Sequence, residues 1–382
     1  KTSSGLGLSI AKEFADQIFE KIVPKMLATV ERNPDNIPYT SINGRFNDYR
    51  SNICKWTNGF WPGMLWLLYM DTKENRCRKA AERAEVSLDQ AFREYDGLHH
   101  DVGFMWHISS GLDYRLTGNR DSRVRTLLAA NMLMGRYNVE GNYLRAWNDR
   151  ENEKNIGWAI IDCMMNLSIL YWASNEIGDP RFAYVARRHA DKTLAHHLRS
   201  DGSVKHIVVY DSRTGEEIDN LGGQGYQKGS SWSRGQAWGL YGFTISYEYT
   251  KDIRYLDAAK RIANYFISCV SSNDWIPLCD FRAPAEPVIY DSTAGAIAAS
   301  GLIELSRCVA EEERELYWQA SVKLLSALEK KFCNWKEDED GILMMGTERY
   351  HGEVGRHIPI IYGDYFFIEA ISKMRGNKYQ IW

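Results

Sequence analysis

Prolines and long apolar runs are scarce in this sequence. Only 9 of its 382 residues are Pro, and this leaves room for long helices because Pro breaks a helix interior. No apolar stretch reaches the roughly 18 residues that a membrane-spanning helix needs. The longest candidates are interrupted by polar residues, as at Asp162 and Asn166. The sequence therefore predicts no membrane partner.

An excess of charge of either sign is also missing. The 47 basic and 50 acidic side chains give a formal net charge of −3. A net charge so near zero does not indicate binding to nucleic acid. It is still compatible with a local basic pocket that binds one anionic sugar. The chain begins at Lys1 rather than Met. A signal peptide could have been removed, so whether the protein is exported stays open.

Several signatures of common chemistries are absent. The sequence has no G-x-G-x-x-G after a strand, no Walker sequence, no H-E-x-x-H and no G-x-S-x-G. None of the seven Cys forms a C-x-x-C pair, so neither a disulfide framework nor a zinc site is indicated. Aromatic residues are abundant instead, with 13 Trp and 22 Tyr. Most of them are expected in the core, and the others could line a sugar-stacking cleft.

Hydrophobic residues recur at helical spacing along the chain. The pattern starts near Ile10 and predicts about twelve helices, the later ones at roughly 60–72, 77–95, 104–117, 122–137, 157–177, 180–198, 233–250, 253–272, 290–309, 313–332 and 361–374. Short polar turns join them into hairpins, and 204–210 could be a strand. No linker divides the chain, so we expect one all-α domain, 1–382, built as an α/α toroid with long loops at one rim.

Asp101 is the first polar interruption of this pattern. It follows His99 and His100 at the start of a predicted helix, where a carboxylate is commonly an N-cap worth ~0.5–2 kcal/mol. A metal site made by these three residues is not favoured, because adjacent residues on a helix point in different directions.

Asp162 is the second interruption, inside the predicted helix 157–177 with Asn166 one turn later on the same face. Burying an unpaired carboxylate is costly. We therefore expect either a structural hydrogen bond with Asn166 or a raised pKa suited to proton transfer.

Arg234 and Trp238 form the third cluster, four residues apart on one helix face. Such a pair suits a sugar that carries a carboxylate, since Arg pairs the charge and Trp stacks on the ring. An Arg packed over an indole at a helix start is the structural alternative.

Taken together, these clusters resemble glycoside hydrolase family 88, the unsaturated glucuronyl hydrolases. The matching motifs occur in family order and span nearly the whole chain: His100-Asp101-Val102-Gly103-Phe104, Ile161-Asp162-Cys163-Met164-Met165-Asn166, Leu170-Tyr171-Trp172-Ala173, Trp232-Ser233-Arg234-Gly235-Gln236-Ala237-Trp238-Gly239, Asp291-Ser292-Thr293-Ala294-Gly295-Ala296-Ile297-Ala298 and Ile361-Tyr362-Gly363-Asp364-Tyr365-Phe366. The resemblance implies an (α/α)6 barrel with its active site at the loop-rich end. It also implies a bacterial enzyme, of the cytoplasm or the periplasm.

The resemblance further implies hydration of the C4=C5 double bond that polysaccharide lyases leave on a terminal uronic acid. Asp162 would act as general acid and base, and Asp101 would bind sugar hydroxyls and keep the proton affinity of Asp162 high. The residues that match the uronate site are His206, Gln224, Arg234 and Trp238, with Trp147 and His100 as further stacking and polar contacts. No metal or organic cofactor is required.

Other functions stay open at this point. An unsaturated rhamnogalacturonyl hydrolase acting on pectin fragments is a related barrel. An ordinary inverting glycosidase would use Asp101 and Asp162 as acid and base, and a helical carbohydrate-binding scaffold would use neither. The aglycone sugar, linkage, sulfation preference and oligomeric state are not indicated by the sequence.

Overall fold

The computed structural model describes residues 3–382, with side chains from residue 7 onward. Within that range the α-helices are α1 (Ser3–Arg32), α2 (Phe60–Thr72), α3 (Asn75–Glu94), α4 (Val102–Trp106), α5 (Ser110–Thr117), α6 (Arg120–Met134), α7 (Cys163–Ile177), α8 (Arg181–His196), α9 (Ser233–Thr250), α10 (Ile253–Ser271), α11 (Ser292–Cys308), α12 (Glu311–Phe332) and α13 (Ile361–Met374). The short strands are β1 (Ser41–Ile42), β2 (Arg45–Phe46), β3 (Tyr137–Asn138), β4 (Tyr143–Leu144), β5 (Trp158–Ile160), β6 (Ile207–Tyr210) and β7 (Glu217–Leu221).

The helices form two concentric rings. The inner ring consists of α2, the short pair α4 and α5, then α7, α9, α11 and α13, and α13 packs back against α2 to close it. Helices α3, α6, α8, α10, α12 and α1 pack outside α2, α5, α7, α9, α11 and α13, respectively. The predicted (α/α)6 barrel is therefore confirmed.

Burial explains which helix belongs to which ring. Helix α9 is buried without interruption from Ser233 to Ser246, as expected of a helix with neighbours on every side. Helix α10 buries only a stripe at helical spacing, including Tyr255, Ile262 and Phe266. Its remaining face is polar and is directed outward.

Loop length differs between the two ends of the barrel. Turns from an inner helix to its outer partner take two or three residues, as at 118–119 and 178–180, whereas most return loops are long, as at 135–162, 197–232 and 333–360. The N-terminal ends of the inner helices therefore meet at the loop-rich rim. The antiparallel sheet β5–β6–β7 lies in two of these long loops.

Three sequence expectations are settled by these elements. A strand within 204–210 is confirmed as β6. The helix predicted over 157–177 is wrong in its first turn, because residues 158–160 pair with β6 as strand β5. The helix predicted over 104–117 is interrupted at Ser109, whose backbone leaves the helical region (φ −98°, ψ −94°).

Among residues 3–382, no helix is long and apolar enough to cross a membrane.

Candidate active site

Asp101 and Asp162 both lie at the loop-rich rim, each directly before an inner helix. Asp101 precedes α4 and Asp162 precedes α7, and neither side chain caps its helix. Their side chains are 7% and 10% exposed, respectively. The N-cap alternative for Asp101 is therefore not realised. The prediction that Asp162 lies inside a helix is wrong, because β5 takes the residues that would have formed the preceding turn.

Asn166 joins the two aspartates. Its Nδ2 donates to Asp101 Oδ1 at 3.0 Å and lies 3.4 Å from the backbone oxygen of Asp162. Its Oδ1 accepts the backbone N–H of Phe104 at 2.8 Å. Asn166 thus contacts the backbone oxygen of Asp162 and not its carboxylate. The carboxylate that Asn166 binds is that of Asp101. Gly103 permits this close approach, because a Cβ there would collide with the Asn166 side chain.

Burial raises the pKa of the Asp101 carboxyl well above its usual range, and the nearby charge of Asp162 raises it further. The hydrogen bond from Asn166 opposes both effects by supporting the ionised form. The pKa of the Asp101 carboxyl thus depends on the charge of Asp162, so the two carboxyls form a coupled pair.

His206 links the sheet to Asp162. It directly precedes β6, and its backbone oxygen accepts the N–H of Ile161 at 3.0 Å. The backbone N–H of Gln224 donates to His206 Nδ1 at 3.0 Å, which assigns the ring proton to Nε2. Nε2 lies 3.4 Å from Asp162 Oδ1. The neighbouring Gly223 leaves room for the imidazole, because a Cβ at this position would overlap Nδ1.

His100 and Trp147 lie on either side of this pair. The His100 ring is fully buried, and its Nε2 lies 3.3 Å from Asp101 Oδ1. Burial lowers the pKa of His100 well below its usual range, so the imidazole is neutral at neutral pH. Trp147 is partly exposed and meets His206 edge-on at 6.3 Å between ring centroids. His99, His100 and Asp101 are the described residues that could hold a metal ion, with one donor atom each within 4.8 Å of the others.

Arg234 lies beneath these residues and is only 1% exposed. Its Nη1 pairs with Asp291 Oδ2 at 2.8 Å, and its Nη atoms also donate to the backbone oxygens of 347–348. The guanidinium lies over the rings of Trp232 and Tyr362, at 4.6 and 5.0 Å from their centroids. Most of its donors are therefore used inside the protein, where they hold a rim loop in place.

Gln224 and Trp238 also make internal contacts. The Gln224 side chain donates from Nε2 to the backbone oxygen of Glu348 at 2.7 Å. Trp238 is fully buried and packs on Phe104 and Phe366, at 5.0 and 5.4 Å between centroids. The structure thus brings Asp101, Asp162, His100, His206 and Trp147 together at the rim, and it places Arg234 and Trp238 below them. Direct contact of these two with sugar stays a prediction.

Two residues near the site were not singled out from the sequence. Asp291 caps α11 by accepting the N–H of Thr293 and also holds Arg234. Trp56 is partly exposed and stacks on Tyr362 at 5.1 Å. Asp291 begins one of the family motifs, whereas the signal for Trp56 was its position directly before an inner helix.

Two buried carboxyl groups, two imidazoles and partly exposed indoles form a set suited to proton transfer on a sugar. The N-terminal ends of the inner helices add partial positive charge at the same rim, which favours an anionic ligand.

Known proteins resemble this chain over most of its length. No protein-family model matches the chain. An unsaturated glucuronyl hydrolase from Bacillus sp. (strain GL1) is 33% identical over 353 residues, which cover 91% of this chain and 93% of the relative. An unsaturated chondroitin disaccharide hydrolase from Streptococcus pneumoniae is 28% identical over 390 residues, 98% of this chain and 95% of the relative.

A solved structure agrees as well. The crystal structure of unsaturated glucuronyl hydrolase from Bacillus sp. GL1, responsible for the degradation of glycosaminoglycan, has a TM-score of 0.89 and 31% identity. The match covers 95% of this chain and 97% of that one. Identity above 30% over nine-tenths of both partners, together with the shared barrel, shows that this chain belongs to the unsaturated glucuronyl hydrolases.

Proposed function

We propose that this chain, as a single catalytic domain, releases a terminal 4,5-unsaturated uronic acid from glycosaminoglycan-type disaccharides produced by lyases. Water adds across the C4=C5 vinyl ether, with a proton going to C4 and hydroxide to C5. The product is a hemiketal at C5. Its ring-opening gives a ketone and frees C1 as a hemiacetal, whose breakdown releases the second sugar as an alcohol.

The observation that carries this proposal is the buried carboxyl pair, joined by Asn166. An electron-rich alkene needs a proton donor that is still protonated near neutral pH. Burial and mutual repulsion of charge give the pair that property, since one of two adjacent buried carboxyls retains a proton. The names of the Bacillus and Streptococcus relatives support the same substrate class.

Hydrogen bonding supports a division of roles within the pair. Asp101 Oδ1 accepts from Asn166, which favours Asp101 as the anion at the moment of reaction. Asp162 Oδ1 has no hydrogen-bond partner among the described residues, so it is free to carry the shared proton to C4. Asp162 then takes a proton from the water that adds at C5. The Nε2–H of His206, 3.4 Å away, steadies the resulting carboxylate.

The remaining rim residues fit a uronate-bearing sugar. Trp147 presents a partly exposed indole beside His206, and such a face suits a sugar ring. His100 offers neutral ring nitrogens for hydroxyl groups. We assign Arg234, Gln224 and Trp238 to the substrate site mainly as supporting residues. Arg234 and Gln224 hold segment 347–348 in position, and Trp238 packs in the core next to the site.

The test is a panel of unsaturated disaccharides from hyaluronan, chondroitin, heparin and rhamnogalacturonan, followed by loss of the ultraviolet absorbance of the conjugated uronate. We expect turnover of one or more glycosaminoglycan products. Activity confined to the rhamnogalacturonan product would favour the pectin alternative. An unchanged signal with every substrate would contradict the proposal.

Isotope placement separates hydration from ordinary glycosidase chemistry. In D₂O, hydration installs deuterium on C4 of the released uronate, which mass spectrometry detects after immediate borohydride reduction. An inverting glycosidase would leave C4 unlabelled, would keep the double bond and would cleave saturated aryl glucuronides.

Asp162→Asn is expected to lower kcat by about 10²–10⁴-fold, because it removes the proton carrier without changing side-chain size. Circular dichroism and the unfolding midpoint should match the wild type. Asp274→Asn is the matched control, since that side chain is 89% exposed, and it should keep full activity. Full activity of Asp162→Asn would remove Asp162 from the mechanism.

A further inference from the structure

His99, His100 and Asp101 direct donor atoms to one point although they are consecutive in sequence. Residues 99–101 form a turn that ends where α4 begins. The helical geometry that would direct adjacent side chains apart is therefore absent at these residues. His100 Nε2 lies 3.3 Å from Asp101 Oδ1, and His99 Nδ1 lies 3.8 Å from Asp101 Oδ2. One donor atom of each residue is within 4.8 Å of the other two.

The protein uses these donors only in part: His99 Nδ1 accepts the backbone N–H of Asp101 at a long 3.4 Å, and Asp101 Oδ1 accepts from Asn166. His100 is fully buried, and neither of its ring nitrogens has a hydrogen-bond partner among the described residues. Leaving a buried polar atom unpaired is unfavourable, so a ligand that engages it is stabilised by relieving that cost. The adjoining Asp162 Oδ1 and His206 Nε2 are also unpaired within residues 3–382. Unpaired imidazole and carboxylate atoms thus occur on both carboxyl-bearing loops of the site.

We propose that His99, His100 and Asp101 bind a divalent transition-metal ion, with Zn²⁺ as the representative, and that the bound ion blocks hydrolysis. Imidazole with carboxylate suits Zn²⁺, Cu²⁺, Ni²⁺ and Co²⁺, whereas Mg²⁺ and Ca²⁺ prefer oxygen ligands alone. Zinc bonds of about 2.0–2.2 Å place tetrahedral ligands about 3.4 Å apart. The separation of 3.3 Å between His100 Nε2 and Asp101 Oδ1 is close to that value, and His99 Nδ1, 3.8 Å from Asp101 Oδ2, would move closer on binding.

The ion reaches this point from solvent past His99, whose side chain is 20% exposed. Once bound, it occupies the Asp101 carboxylate, which the proposed reaction uses as the anion of the carboxyl pair. Inhibition therefore rests on the proposed function, but binding of the ion does not. The protein would lose turnover in proportion to occupancy of the site, and a chelator would restore it.

Binding is measured first with Co²⁺, whose visible absorption reports coordination without any substrate, and Zn²⁺ is then titrated against it. We expect saturable Co²⁺ bands that Zn²⁺ displaces. His99→Gln should weaken binding at least about tenfold, because it removes a ligand. His196→Gln is the matched control, since that imidazole pairs with Glu217 in the sheet region outside the cluster, and it should bind like the wild type.

Zn²⁺ inhibition of turnover should follow the same order, with each variant compared with its own metal-free rate. His100→Gln is a second ligand variant if His99→Gln fails to fold. Equal Co²⁺ binding by wild type, His99→Gln and His100→Gln would overturn the site, as would loss of binding in His196→Gln. Normal Co²⁺ binding without turnover of any unsaturated disaccharide would instead support the site and contradict the proposed function.

Discussion

At the scale of single residues, Asn166 determines how the two aspartates differ. One amide donates to the Asp101 carboxylate, contacts the Asp162 main chain and accepts from Phe104. It therefore joins the first turns of two inner helices and lowers the pKa of one carboxyl. The role is that of a positioning residue, because Asn166 acts on the reaction through Asp101.

Asn166→Ala should change the pH profile as well as the rate. Its hydrogen bond lowers the pKa of Asp101, and burial raises it. Removing the bond leaves the pKa still higher, so the decline in kcat at alkaline pH, where the pair loses its proton, should move to higher pH. Loss of positioning should lower kcat by about 10²-fold. The profile is measured with an unsaturated disaccharide over a range of buffers.

Asn175→Ala provides the matched control, because Asn175 is an exposed residue in the last turn of the same helix. Its profile should overlay the wild type. A lower kcat for Asn166→Ala with an unshifted alkaline decline would show that Asn166 does not act through the proton affinity of Asp101.

Residue identities at the site were partly accessible from the sequence. Asp101 and Asp162 could be identified as polar residues in apolar surroundings. The resemblance to the family indicated His206 and Gln224. The partners of these residues were not accessible. Asn166 was expected to serve Asp162, and the buried pair of Arg234 with Asp291 spans 57 positions of chain. Such contacts depend on how the helices are arranged in three dimensions, which periodicity does not encode.

At the scale of elements, the loop 222–225 holds His206 by a close approach of main chain to imidazole. Gly223 has a φ of +58°, and a Cβ there would overlap His206 Nδ1. Gly223→Ala should therefore displace the imidazole from Asp162 and lower kcat/KM by about 10²-fold.

Gly229→Ala controls for backbone strain in this test. Gly229 also has positive φ, at +84°, but no atom lies near its added Cβ. Both variants carry a similar conformational cost of about 1 kcal/mol, seen as a small drop in the unfolding midpoint. Only Gly223→Ala should lose activity, and equal losses in the two variants would attribute the effect to loop strain alone.

Element types were predictable because the two rings have strong and different hydrophobic patterns. The outer helices bury one stripe and stand out at a 3.6-residue period, whereas the inner helices stand out as long, mostly apolar segments. The first turn of the helix predicted at 157–177 failed for a non-local reason. Residues 158–160 pair with 207–209, and an apolar segment of that length fits either a strand or a helix until its partner is known.

At the scale of the whole molecule, the barrel axis is filled from the end opposite the site by the segment after α13. Trp382 is 2% exposed and stacks on Phe366 at 5.9 Å with nearly parallel rings. Its indole N–H donates to Glu369 at 2.9 Å. The guanidinium of Arg115 holds the preceding carbonyl groups of 380–381. The inner helices pack around these shared aromatic side chains. They stay close-packed only while the aromatic side chains fill the space between them.

Trp382→Ala should destabilise the protein by about 3–5 kcal/mol, because it opens a large cavity among buried rings and removes the indole donor to Glu369 Oε2. The free energy of unfolding is measured by urea denaturation followed by circular dichroism. Trp335→Ala is the control, since that indole is only partly buried beside Lys21 and Glu329, and its loss should be clearly smaller. Equal destabilisation by the two substitutions would mean that the inner ring keeps its packing without this aromatic filling, and that closure of the barrel rests on helix-to-helix contacts alone.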